Sequence, residues 1–223
     1  MLPEGEASHC SRVLRMNEGD EIFVTDGRGN RFLCEIVSSS HSKVKVRIKN
    51  KETLPPERNY RITLAVAPTK NSDRMEWLVE KAVEIGVDRI VLLKCKRSER
   101  KVLRTDRLLK VMISAMKQSL SSCLPLLEEL TEFKEFIKKS DSDSQKFFGY
   151  CSEEYPRKDF VKEYKGGGEV IVMIGPEGDF TPEEVREAIE SGFIPVTFGD
   201  KRLRTETAGV FAVSAVNIIN QLS

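Results

Sequence analysis

The sequence predicts an α/β protein in two unequal parts, a small β domain over residues 1–55 and an α/β domain over 56–223. Three observations carry this. Residues 43–49 alternate strictly between cations and Val44, Val46 and Ile48, the period of a strand with one covered face. A polar stretch at 50–60 reads as a linker, because its Pro55-Pro56 pair stops regular structure. Beyond it, short apolar runs alternate with segments of helical spacing. Strands alternating with helices argue for a mostly parallel sheet covered on both faces.

In the first part, residues 21–25 read as a strand and 31–37 as its returning partner, with Asp26, Gly27, Arg28, Gly29 and Asn30 supplying turn chemistry between them. Val44, Val46 and Ile48 are expected to face a core, which leaves Lys43, Lys45, Arg47 and Lys49 as a basic outer face. In the second part, 62–67 is a strand. A helix follows over 73–85, with Met75, Leu78, Val79, Ala82 and Val83 on one face and Gly86 as its C-cap. A strand at 89–93, a helix at 106–122, a short helix near 132–139, strands at 146–150 and 170–174, and a loop at 140–144 complete the middle. The final segment, 208–219, is apolar nearly all round, so its helix is buried on most sides or against a partner chain.

Composition narrows the function. Hydrophobic residues make up 39% and charged residues 32%, and no stretch reaches the ~20 apolar residues of a membrane span. The first residues carry acid where a secretory signal carries base, so a cytoplasmic protein is expected. The five cysteines are widely spaced without a C-x-x-C pair, which points to reduced thiols rather than a disulfide framework or zinc site. Two histidines, His9 and His41, are too few for a histidine metal centre, and no metal is expected. A net charge of +1 does not announce a nucleic-acid binder, yet eight cations (Lys94, Lys96, Arg97, Arg100, Lys101, Arg104, Arg107 and Lys110) crowd one stretch against only Glu99 and Asp106. Such a run suits phosphates, and equally suits a solvated surface.

The chemistry concentrates in two loops. In the first, a buried strand runs into Gly175, Pro176, Glu177 and Gly178 and then into a helix with Thr181 as N-cap, Pro182 at its first position and Glu184 closing a capping box. Ligands of open α/β sheets bind beyond the carboxyl ends of strands, where this turn lies. It is neither a Walker A loop nor a G-x-G-x-x-G turn, and Glu177 at its tip suits an uncharged or cationic ligand better than bare phosphate. The same residues also describe a tight strand–helix turn without a ligand. In the second loop, Phe198 and Gly199 end a strand, and Leu203, Arg204, Thr205, Glu206, Thr207 and Ala208 lead into the apolar helix. A plain core helix explains the apolar part but not the polar cluster before it.

The two loops together, in this order, resemble the signature loops of the SPOUT methyltransferases, and specifically those of the bacterial 16S ribosomal RNA uracil-N3 methyltransferase family. The segments 70–77 and 81–87 match that family after the first strand, Ser98-Glu99-Arg100 and Lys117-Gln118-Ser119 fall at its intervals, and 9–15 with 18–20 is similar to the start of its PUA-like β domain. Departures are Lys117 for an acid, Ser121 for an arginine, and Asp179 where a second glycine is usual. The resemblance implies a PUA-like β-barrel ahead of an α/β trefoil knot, S-adenosyl-L-methionine as cofactor, and a homodimer packed through the knot helices. It implies that Ile174, Gly175, Pro176, Glu177 and Gly178 form one wall of the cofactor site, and Phe198, Gly199, Leu203, Arg204, Thr205 and Ala208 the other.

On that basis the expected partner is 16S rRNA within the small ribosomal subunit, positioned by Arg12, Arg15, Lys43, Lys45, Arg47 and Lys49, with Arg97 and Arg100 adding to the surface. Uracil N3 must lose a proton to become nucleophilic, and Arg204 is the candidate catalytic residue, a cation that stabilises the developing uracilate. Glu206 is expected to pair with a neighbouring cation, and Gly178→Val to abolish cofactor binding. The competing readings are a SPOUT methyltransferase of tRNA or 23S rRNA, and an RNA-binding protein without catalysis.

Overall fold

The computed structural model describes residues 1–40, 42–56, 58–100 and 104–222, so His41 and Lys101 lie outside the described residues. By contacts the chain forms two units, Met1–Glu57 with Ser121–Cys123, and Arg58–Leu120 with Leu124–Ser223.

The first unit opens with helix α1 (Glu4–Ser8) and a π-helical turn at His9–Val13. Strands β1 (Glu21–Thr25), β2 (Asn30–Ser40) and β3 (Lys43–Thr53) follow as an antiparallel sheet in that order. The turn between β1 and β2 closes on Asp26, whose carboxylate accepts from Arg28 N at 2.8 Å and from Asn30 Nδ2 at 2.7 Å. These hydrogen bonds, the one from the Asn30 side chain first, hold that carboxyl below the usual range. Ser122 joins the unit by accepting from Gly29 N at 3.0 Å and from Thr25 Oγ1 at 3.1 Å.

Here two expectations change. The stretch 50–60 is not all linker, because β3 continues to Thr53. On β3, Val44 is fully buried and Val46 partly, but Ile48 is 59% exposed. The alternation is real, yet the cover runs out: the small core of Ala7, Cys10, Ile36 and Val44 reaches only as far as Val46. Beyond that point nothing apolar in the unit's core cluster covers the face.

The second unit is a seven-stranded sheet ordered β6-β5-β4-β9-β7-β10-β8, every neighbouring pair parallel. Its strands are β4 (Tyr60–Val66), β5 (Arg89–Lys94), β6 (Leu126–Glu132), β7 (Gln145–Gly149), β8 (Lys158–Asp159), β9 (Gly168–Ile174) and β10 (Ile194–Thr197). Between and after them lie α2 (Ser72–Ile85), α3 (Thr105–Gln118), α4 (Phe133–Lys139), α5 (Phe160–Glu163), α6 (Pro182–Glu190) and α7 (Thr205–Leu222). Strand alternation splits the core in two. Ile62, Leu64, Val66, Ile90, Leu92, Val170 and Val172 pack with α2, α3 and α7, while Ala65, Val91, Leu93, Ile171 and Met173 pack with α4 and α6. Both faces are therefore covered, as parallel sheets require.

The caps follow the sequence. All five apolar residues expected on α2 are buried; Asn71 accepts from Asp73 N at 2.8 Å, and Gly86 ends the helix at φ 110°. Thr181 and Glu184 form the full capping box on α6. The helix expected over 106–122 stops at Gln118, because Ser121–Cys123 packs in the first unit. α7 crosses α2 closely: a side chain at Gly209 would put its Cβ 2.7 Å from Leu78 Cδ1. Its far end is held by Asn217, whose Oδ1 accepts from Tyr60 Oη at 2.6 Å and Arg58 Nη1 at 3.0 Å.

Candidate active site

Strands β7, β9 and β10 end side by side, and a cavity of about 630 Å³ opens beyond them. Each of the three strands runs out at or just before a glycine, Gly149, Gly175 and Gly199 respectively. At Gly149 and Gly175 the reason is space. An added Cβ would lie 2.7 Å from Phe198 Cε2 at the first and 3.1 Å from Phe180 Cε2 at the second. At Gly199 the reason is a φ of 102°.

The two loops expected to form the site meet here. Ile174, Gly175, Pro176 and Glu177 line one side, and Phe198, Gly199, Leu203, Arg204, Thr205 and Ala208 the other. They are tied directly, since the buried Thr205 hydroxyl donates to Gly175 O at 3.2 Å. Glu177 also braces the loop after β4, accepting from Lys70 N at 3.0 Å. Gly178 is the exception and does not line the cavity. A Cβ there would meet Arg97 Cβ and Cδ at 3.5 Å, an ordinary contact, so a side chain at Gly178 is tolerated, whereas one at Gly175 would press on the Phe180 ring and shift the loop that lines the cavity.

Asp179, where the resemblance leads one to expect a second glycine, has a φ of 62°, a backbone conformation that favours glycine. Asp tolerates it because its carboxylate accepts from Phe180 N at 2.9 Å and from Cys151 N at 3.1 Å.

Sequence reasoning missed the third loop, where Tyr150, Cys151 and Arg157 complete the lining, and it missed Arg74 on α2. The recurrence of strand-then-glycine at Gly149 was the available signal. Arg157 Nη1 donates to Cys151 O at 3.1 Å, and the Cys151 thiol is pushed up first by burial and then by Asp179. That thiol is not poised as a thiolate nucleophile. Five cations (Arg74, Arg157, Lys201, Arg202, Arg204) and four carboxylates (Glu177, Asp179, Asp200, Glu206) line the cavity. Such a near balance suits a zwitterionic ligand better than a polyphosphate.

The expected RNA contacts divide. Arg12, Arg15, Lys43, Lys45 and Arg47 are exposed, whereas Lys49 pairs with Glu21 at 2.7 Å and Glu35 at 3.7 Å. Arg97 Nη1 donates to Gly178 O at 2.8 Å and Arg100 Nη2 to Lys70 O at 3.0 Å, so both brace the loops around the cavity. Among the described residues there is no group of three or more metal-ligating side chains, and no helix is long and apolar enough to cross a membrane.

A family model for the RNA methyltransferase domain matches residues 56–217, and one for the RNA methyltransferase PUA domain matches 2–49. The chain belongs to the RNA methyltransferase family. Among curated relatives, the ribosomal RNA small subunit methyltransferase E of Bacillus subtilis is 26% identical, covering 97% of this chain and 89% of that protein. Among solved structures, a probable rRNA-methyltransferase from Porphyromonas gingivalis matches with a TM-score of 0.94 and 40% identity over 99% of this chain and 93% of that one. A ribosomal RNA small subunit methyltransferase E from Neisseria gonorrhoeae, bound to S-adenosyl methionine, matches with a TM-score of 0.86 and 27% identity over 98% and 90%. The fold of this RNA methyltransferase is thus the SPOUT α/β-knot class with a PUA-like first unit.

Proposed function

We propose that this protein transfers a methyl group from S-adenosylmethionine to N3 of a uridine in 16S rRNA, in the small ribosomal subunit and in the cytoplasm. The observation that carries the reading is the convergence of both signature loops on one cavity, joined by the Thr205–Gly175 hydrogen bond. At about 630 Å³ the cavity lies within the roughly 300–1,000 Å³ range of small-molecule sites. Its balanced charge suits an amino acid head with a sulfonium, and Phe198, Leu203, Ile174 and Ala208 offer apolar surface for a nucleoside. Relatives named for small-subunit rRNA methylation, one of them solved with the methyl donor, support the rRNA and donor parts of this reading.

The donor, when bound, supplies an activated methyl on a positively charged sulfur. The chain's work is then alignment and charge stabilisation. Ile174, Gly175, Pro176 and Glu177 hold the donor from one side, and Phe198, Gly199, Leu203, Thr205 and Ala208 from the other. Gly175 makes room for the Phe180 ring behind the loop and so fixes where its backbone lies. Arg204 is exposed at the cavity wall, has no side-chain partner among the described residues, and stabilises negative charge on the uracil as N3 is deprotonated. Lys43, Lys45, Arg47, Arg12 and Arg15 bind RNA phosphates. Two copies of the chain pair through α7, whose Ile218 and Leu222 are 54% and 83% exposed.

The test is transfer of labelled methyl to small subunits lacking native methylation, with the product nucleoside identified by chromatography. The expected product is 3-methyluridine; a different methylated nucleoside, or label only on tRNA or 23S rRNA, would overturn the reading. Arg204→Ala is expected to keep donor affinity and lose turnover by about 100-fold.

A further inference from the structure

Glu206 is a nearly buried carboxylate, its side chain 10% exposed, in the first turn of α7. Its place is set by the neighbouring Thr205, which is bonded to Gly175. Arg74 Nε of α2 faces it at 3.6 Å. Glu206 lines the large cavity, and it also lines a second, more open hollow of about 510 Å³. That hollow is formed by Asp73, Arg74, Trp77, Arg204, Glu206 and Thr207, and it shares Arg74, Arg204 and Glu206 with the first. Trp77 is 44% exposed there and is the only tryptophan of the chain.

An acceptor paired with one guanidinium, in a hollow that a second guanidinium and an open indole also line, is the complement of one nucleobase edge. Uracil presents N3–H between two carbonyl oxygens, with a flat face for stacking. Cytosine presents a lone pair at N3 and would meet the carboxylate with repulsion. We propose that this hollow receives the target uracil, extruded from the RNA, with Trp77 stacking on it, Arg74 and Arg204 on its two carbonyl oxygens, and Glu206 taking the N3 proton. This rests on the reading of uridine-N3 methylation.

The step balances without another reactant. The N3–H bond breaks toward a Glu206 oxygen while the N3 pair forms the bond to the methyl carbon. The donor's carbon–sulfur bond breaks, its electron pair staying on sulfur, which leaves as a neutral thioether. Glu206 then returns the proton to water. Arg74 faces Glu206 directly; Asp73 and Arg204 share the hollow with it, and Glu177, Asp179, Asp200, Arg157, Lys201 and Arg202 line the larger cavity that Glu206 also borders.

The test uses the full chain and unmethylated small subunits. Glu206→Gln is expected to cut transfer by about 10²–10⁴-fold near neutral pH. Its residual rate should climb by about tenfold per pH unit, because hydroxide must then remove the proton. Affinity for S-adenosylhomocysteine should change far less than the rate does. Glu206→Asp is expected to restore part of the rate with the wild-type pH profile. With S-adenosylhomocysteine bound, adding unmethylated subunits should quench Trp77 emission, and subunits already carrying 3-methyluridine should quench it less. A Glu206→Gln rate within threefold of wild type, an unchanged pH profile, or Trp77 emission indifferent to the subunits would overturn the proposal while 3-methyluridine formation by the wild type still stands. A wild-type product other than 3-methyluridine would overturn both.

Discussion

Lys43, Lys45 and Arg47 stand on the exposed side of β3 with no side-chain hydrogen bond or ion pair among the described residues, whereas most cations between Lys94 and Arg107 are already engaged. Lys94 pairs with Glu132 and Lys96 with Glu183. Arg97 and Arg100 donate to loop carbonyls, and Arg107 Nε meets Glu76 at 2.7 Å. The two stretches look alike as runs of positive charge. They differ because the first lies on a strand at the edge of a three-stranded sheet, while the second leaves β5 among loops that end in carbonyls and carboxylates. A cation that has already exchanged water for a fixed partner has less to offer a phosphate than one that has not.

The largest effect on this contrast should come from β3. Replacing Lys43, Lys45 and Arg47 together with alanine is expected to weaken RNA binding by about 100-fold at low salt and to flatten the log–log salt dependence by about two, near 0.7 per phosphate on single strands. Stability should hold to within about 0.5 kcal/mol, as for surface changes generally. A salt slope that does not move would remove β3 from the RNA surface.

Arg97→Ala should do the reverse. It deletes donors to Gly178 O and Phe180 O, so a loss of about 1–2 kcal/mol in stability is expected, discounted for exposure, with severalfold weaker S-adenosylmethionine binding and an unchanged salt slope. A slope as flat as that of the β3 variant, with donor affinity intact, would break the comparison.

The smallest effect lies under the second run, at Cys95. Burial first, and Glu184 second, push its thiol well above the ordinary value of 9.0, with Ser98 offsetting a part. The unfolded chain releases this proton above about pH 9 while the folded chain keeps it, so stability present below that pH is lost above it, by up to ~1.4 kcal/mol per unit. Urea melts between about pH 8 and pH 10 should show Cys95→Ala losing less than wild type, by about 1 kcal/mol. Equal losses would mean that the folded thiol ionises as readily as the unfolded one.

Much of the site was legible because it is local. Thr181, Pro182 and Glu184 announce a helix start within four residues, and Gly175 and Gly199 mark the strand ends where the cavity opens. The Tyr150–Arg157 loop was not legible. It enters only because β9 pairs with β7, and the β7 pairing with β10 places Gly149 beside the other two strand ends. Ile48 failed for the converse reason, since a correct alternation says which residues share a face but not how far the cover extends. Short elements escaped too: β6, β8 and α1 carry weak patterns and are held by their neighbours rather than by their own propensity.

The sequence by itself determined the alternation of strands and helices, the caps of α2 and α6, the two loops and the class of chemistry they resemble. All of these rest on interactions that span a few residues. Only the tertiary structure decided which cations are spent, that Asp179 substitutes for a glycine by bonding across to Cys151, and that Glu206 meets Arg74 from α2. Those outcomes depend on contacts between residues 28 to 132 positions apart, and a side chain's partners at that distance are set by strand order and helix packing, not by its neighbours in the chain.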